Sequence, residues 1–137
     1  MRNDLPNNPI TDIKILPEFD ISENNSPINI LLSHDYFSSD NDNGRKLLSD
    51  LLISIINCGK EIGQLYIIDS GVRTLDHESK YHDLIERLIC LAGSVLVCSD
   101  SLNFYDVSVC IESERVHIAS SEEIFSTILC SRNIIRI

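Results

Sequence analysis

The sequence predicts a three-layer α/β protein, with helices on both faces of a mainly parallel sheet of about five strands. Two observations predict it. Short apolar runs bounded by turn residues alternate with stretches whose apolar residues recur at helical spacing. Each helical stretch also carries its own start and stop residues, so the alternation is punctuated along the chain.

The elements follow in order. Residues 1–27, rich in Asn, Asp, Pro and Ser, read as an N-terminal arm or linker. Within them Ile13, Ile15 and Leu16 alternate briefly, as an added edge strand would, and Pro17 discourages its extension. The domain proper spans 28–137. Ile28 to Leu32 is the first strand. Ser33 to Asn43 is a long polar loop in which Phe37 is expected to pack down. Leu47, Leu48, Leu51, Leu52, Ile55 and Ile56 form one helical face, with Asp40 or Asp42 as cap and Gly59 at the end. Ile62 to Asp69 is the second strand and Ser70 to Leu75 a tight connection. Ser79 starts a helix through Leu84, Ile85, Leu88, Ile89 and Ala92, closed by Gly93. Ser94 to Cys98 is the third strand, and Asp100 to Asp106 a short helix or turn. Arg115 to Ile118 is a fourth strand. Ser120 and Glu123 make a capping box for a last helix expected to bury Ile124, Phe125, Ile128 and Leu129. Ile134 to Ile137 is a closing edge strand, with Arg132 and Arg136 opposing edge pairing.

Composition narrows function. The net charge of −10 and the absence of a Lys/Arg cluster argue against nucleic acid and anionic membrane surfaces as partners. No apolar run reaches the roughly 18 residues of a membrane helix. Met1 to Asn8 is polar and contains Pro6, so no secretory signal is expected. Five cysteines, an odd number without a CxxC, point to free thiols in a cytoplasmic setting. The four histidines show no HxxxH or HExxH spacing, and His77 and His82 are expected to split around a helix, so no metal site is expected. No GxGxxG, GxxxxGK or GxSxG is present, and no cofactor is expected.

Chemistry concentrates in Ser94 to Val107, SVLVCSDSLNFYDV. The spacing puts Cys98 at the carboxyl end of a strand, just before a helix start. Open α/β sheets bind ligands at that edge, and a helix N-terminus favours a thiolate. Cys58 and Cys130 fall late in helices, Cys90 on a helix packing on the sheet, and Cys110 in an ambiguous stretch. Gly71 permits an unusual backbone whose N–H groups, with Ser70 and Arg73, are suited to an anion. Packing offers the plainer account of Cys98, because free cysteine is among the most buried residue types.

Four stretches in order, NGRKLL (Asn43 to Leu48), SGVRTL (Ser70 to Leu75), VLVCSDSLNFYDV (Val95 to Val107) and RVHIASSEEI (Arg115 to Ile124), carry a family likeness. With them the chain from Ile28 to Ile137 resembles the DsrE-like family, and within it the C-terminal domain of YedF-type proteins. The resemblance implies a three-layer α/β/α domain, a link to sulfur relay, and for the YedF branch to selenium metabolism. It also implies a homo-oligomer, with a sulfur-carrier protein as partner. The family's Cys-Gly-Thr-Cys-Leu-like segment falls on Cys98-Ser99-Asp100-Ser101-Leu102. The first cysteine is kept and Ser101 stands at the second, so the expectation is a single persulfide-accepting thiol. Two-domain YedF-type proteins carry a TusA/SirA-like domain ahead of this one, and with only residues 1–27 in that place none is expected here.

Two functions are therefore expected of this chain. One is a sulfurtransferase-like carrier of sulfur or selenium on Cys98, flanked by Ser99 and Ser101. Ser70, Gly71 and Arg73 would shape the anion end of its pocket, and Asn103 and Tyr105 its rim. The other is a non-catalytic oligomeric or small-ligand-binding module that keeps the fold without the thiol chemistry.

Overall fold

All five strands run the same way. In the computed structural model, which describes residues 26–137, β1 (Ile28–Leu32), β2 (Ile62–Ile67), β3 (Ala92–Cys98), β4 (Val116–Ala119) and β5 (Ile134–Arg136) pair in parallel in the order β4-β3-β2-β1-β5. Between them lie α1 (Asp42–Asn57), a 3-10 segment (Asp69–Leu75), α2 (His82–Leu91), α3 (Ser99–Tyr105) and α4 (Ser121–Leu129). This is the expected three-layer fold. The expected edge strand at Ile13 to Leu16 lies outside the described residues.

The strand order decides which helices share a face. From β1 to β4 the chain steps always in one direction across the sheet, and then returns past β1 to β5. Right-handed crossovers place helices of one stepping direction on one face and the helix of the return on the other. Side-chain alternation agrees. Ile30, Leu32, Leu65, Ile67, Val95 and Val97 join Leu48 and Leu52 of α1, Ile85 and Leu88 of α2 and Leu102 of α3 in the large core. Tyr66, Cys98 and Ala119 instead join Ile124 of α4 in a small second core. Burying each of the large core's leucines stabilises by roughly 1.5–3 kcal/mol.

Several local expectations need correction. The α1 cap is Asn41, whose side chain accepts from the Gly44 N–H at 2.8 Å. Asp40 and Asp42 instead hold Arg45 at 2.9 and 2.8 Å. Ser79 accepts from the Tyr81 N–H, but α2 begins at His82 and ends at Leu91, and Ala92 and Gly93 already belong to β3. Cys90 is exposed rather than packed on the sheet, as is Phe37 in the first loop. The nine-residue α4 buries Ile124 and half-buries Ile128, one i,i+4 stripe, while Phe125 and Leu129 are 49% and 85% exposed. The ring of His77, which precedes α2, meets that of His82 edge-on at 5.6 Å. Among the described residues no helix is long and apolar enough to cross a membrane.

The third residue of α1, Gly44, sits where the backbone leaves little space for a side chain. A Cβ there would lie 1.8 Å from the Ser39 carbonyl oxygen, because the preceding loop folds back and Phe37 N–H donates to the Gly44 carbonyl. Gly44→Ala is expected to cost about 1–3 kcal/mol, as overpacking does. Urea denaturation reads this as a lowered midpoint; an unchanged midpoint would contradict the clash.

Candidate functional site

The strand order makes one crevice special. Parallel α/β sheets bind ligands outside the carboxyl ends of neighbouring strands whose following segments leave toward opposite faces. Here those strands are β3 and β4. The chain leaves β3 through α3, whose Leu102 reaches the large core, and leaves β4 through α4, whose Ile124 reaches the small one. Cys98 ends β3 and pairs in register with Ala119, which ends β4. Cys98 is also the N-cap of α3, with extended backbone at φ −72° and ψ 118°. Its side chain, however, follows the strand alternation inward. Cys98 is 3% exposed and packs with Tyr66, Ala119 and Ile124. Above it the crevice is bridged, the Ser121 hydroxyl donating to Asp100 Oδ2 at 3.1 Å.

The neighbouring strand end, after β2, holds α3 in place. Asp69 sits at φ +52°, a backbone region that Asp tolerates better than most residues. Its N–H donates to Ser101 Oγ at 2.8 Å, and its carboxylate accepts from the Tyr105 hydroxyl at 3.1 Å. The Arg73 guanidinium lies 5.8 Å from the centre of the Tyr105 ring, and its Nε is 3.6 Å from Asp35 Oδ2. These groups border two clefts that share Tyr105. The larger, ≈ 420 Å³, includes Asp35, Arg45, Arg73, Lys80 and Tyr81 in its walls. The smaller, ≈ 350 Å³, runs between Asp69, Asp100, Ser101, Phe104 and Tyr105.

The structure thus brings Arg73, Ser101 and Tyr105 together, and leaves other expected residues in different roles. Ser70 is buried and its hydroxyl accepts from the Asp35 N–H at 3.3 Å. The Gly71 N–H donates to the carbonyl of Ile68, which caps the 3-10 segment, and a Cβ at Gly71 would lie 2.5 Å from the Leu32 carbonyl oxygen. Gly71 therefore lets this segment press against the end of β1 and has no N–H free for an anion. Ser99 is half-buried beside the thiol, and Asn103 is exposed on the outer side of α3. Asp35, Arg45, Asp69, Asp76, Glu78, Lys80 and Tyr81 are among the cleft residues that sequence reasoning missed. For Asp35 the length of the first loop was the available signal; for Asp69 there was none, because it reads as a last strand residue. Among the described residues no group of three or more His, Cys, Asp or Glu could hold a metal ion.

No family model matches the chain, and no curated protein matches it. Solved structures do. The ychN protein from E. coli is similar at a TM-score of 0.55 and 11% identity, over 82% of this chain and 100% of that one. MTH1491 from Methanobacterium thermoautotrophicum, a protein of unknown function, is similar at a TM-score of 0.55 and 19% identity, over 81% and 98%. At these identities what is shared is the three-layer fold.

Both cleft tyrosines hold their protons tightly. Burial, and then the Asp35 charge, push the Tyr81 phenol above its usual value; Arg45 opposes them. Burial, and then the hydrogen bond and charge of Asp69, do the same to Tyr105. A tyrosine of the unfolded chain ionises first as pH rises, so the folded state loses stability from about pH 10 upward until the folded phenol also ionises. Tyr81→Phe should flatten that alkaline decline, measured as urea midpoint between pH 8 and 11 on the order of one unit apart. The slope is the readout, since loss of the Tyr81 hydroxyl bond to the Arg45 carbonyl lowers stability at every pH. An equally steep decline in the variant would contradict the assignment.

Proposed function

We propose that this chain is a DsrE-like carrier of sulfane sulfur or selenium, with Cys98 as its acceptor thiol and the cytoplasm as its setting. The observation that carries this reading is the place of Cys98 at the carboxyl end of β3, in the crevice where the chain leaves β3 and β4 toward opposite faces. The other four cysteines are exposed and belong to no strand end. In the loading step Cys98 Sγ attacks the outer sulfur of a donor persulfide, R–S–SH. A new S–S bond forms on Cys98, the donor S–S bond breaks, and the leaving thiolate takes up the proton that Cys98 gives up. No second cysteine stands in α3 to resolve the product as a disulfide, since Ser101 holds that place and is engaged with the Asp69 N–H.

One observation favours the second reading, a small-ligand-binding module without thiol chemistry. Cys98 is 3% exposed among apolar side chains, and buried structural cysteines are inert. Loading then requires the start of α3 to part from α4, against the Asp100–Ser121 bridge. Mass spectrometry after incubation with a persulfide donor separates the two. A carrier gains the mass of one sulfur at Cys98, Cys98→Ser abolishes that gain, and Ser121→Ala speeds it. A Cys98 that is modified only after denaturation, with the exposed cysteines reacting first, leaves the binding module standing.

The carrier is further proposed to be a homo-oligomer. The support is the second face of the sheet, covered by the nine-residue α4, whose Phe125 and Leu129 point outward. Light scattering at micromolar concentration should give a multiple of the 15.5 kDa chain mass, and Leu129→Glu should reduce it. A wild-type monomer mass would overturn this.

A further inference from the structure

The larger cleft is not lined by Cys98, and its charges describe a ligand of their own. We infer that it binds a small zwitterion of the amino-acid type, its carboxylate received by Arg73 and Lys80 and its ammonium by Asp76 and Glu78. The volume, ≈ 420 Å³, lies within the range of small-molecule sites.

The charges decide the class. Although the chain carries a net charge of −10, the cleft walls present both signs: Arg73 and Lys80, with an Arg45 already paired to Asp40 and Asp42, face the carboxylates Asp35, Asp76 and Glu78. A polyphosphate would meet the carboxylates and a plain amine the cations, whereas a zwitterion satisfies both signs.

Several of these groups are unspent. Arg45 is not, because Asp40 and Asp42 hold it. Arg73 is: its ion contact is the long one to Asp35 at 3.6 Å, and among the described residues no hydrogen bond occupies its outer nitrogens. Lys80 makes no ion pair among the described residues and rests its ammonium 5.3 Å from the centre of the Tyr81 ring. Asp76 Oδ1 accepts the Glu78 N–H at 3.0 Å, and neither carboxylate has a cation partner among the described residues.

The site is also pre-shaped. Arg73 lies against the Tyr105 ring, and Tyr105 is tied by its hydroxyl to Asp69. Tyr81 is buried, with its hydroxyl donated to the Arg45 carbonyl at 2.9 Å. A guanidinium fixed in this way loses little freedom when it closes on a carboxylate.

Calorimetric titration of the full chain tests this, with L-serine as the zwitterion and acetate and ethylamine as its two halves. Serine should bind saturably, and each half should bind weaker by about tenfold or more, the loss of one charge-assisted pair. Arg73→Met and Glu78→Gln, both at exposed side chains, should each weaken serine by about tenfold. Lys46→Met, which breaks only the Lys46–Asp50 pair on the outer face of α1, should leave serine binding unchanged. Cys98→Ser should also leave it unchanged, so this result and the outcome of sulfur loading are read independently. Serine that fails to saturate, halves that bind as well as the whole, or Arg73→Met and Glu78→Gln variants that bind as wild type would overturn the inference.

Discussion

The return of the chain from β4 past β1 to β5 is the constraint on which the rest of the structure depends. Parallel strands must be joined by crossovers, and crossovers are right-handed. Three steps in one direction stack α1, α2 and α3 over one face of the sheet and build the large core. The single step back leaves the other face to α4. A thick layer and a thin layer follow from that reversal. So does the crevice between the ends of β3 and β4, since the chain leaves those two strands toward opposite faces. The larger core lies on one side of the sheet and the smaller on the other.

Much of this was legible because period and punctuation agree along the chain. Short apolar runs such as Ile28 to Leu32 and Val95 to Val97, bounded by turn residues, read as buried strands beside stretches of helical spacing, and the five strands fall on those runs, β3 starting two residues earlier than expected. What was not legible depended on tertiary contact. The pattern of Ile124, Phe125, Ile128 and Leu129 gives a broad apolar face, but one short helix on a sheet touches it along one stripe, so Phe125 and Leu129 face outward. Asn41 rather than its acidic neighbours caps α1 because Arg45 draws both carboxylates to itself.

The candidate site divides in the same way. Position along the strand is a local property, and the place of Cys98 at the end of β3 could be read from the sequence. Orientation is a local property too. Val95 and Val97 face the large core, so Leu96 and Cys98 must face the thin layer under α4. The same period of two that brings the thiol to the sheet edge turns it inward. The backbone at Ser70, Gly71 and Arg73 has a related lesson. The spacing predicts a tight connection there, and the chain winds that connection into a 3-10 segment in which the Gly71 N–H bonds back to the Ile68 carbonyl. Among the described residues no hydrogen bond occupies the outer nitrogens of the Arg73 side chain.

Acidity at the level of the whole chain therefore misdescribes the site. A net charge of −10 speaks for solubility and against polyanionic partners. Over a cleft only a few side chains wide, the balance is set by those that line it, and screening in salt confines longer-range charge to about 10 Å. Arg73 and Lys80 reach the same cleft from segments on either side of a bend at Asp76, with Tyr81 and Tyr105 as walls. The aromatic rings hold the cations in place without neutralising them, as a cation lying over a ring is attracted to it and keeps its charge. Ion pairing with Asp40 and Asp42 removes Arg45 from that role, although it lines the same cleft. The enclosed thiol and the charged cleft are thus separate features of the fold: Cys98 is buried between the sheet and α4, whereas the cleft is bordered by Tyr105 at the end of α3 and by Arg73, Lys80 and Tyr81.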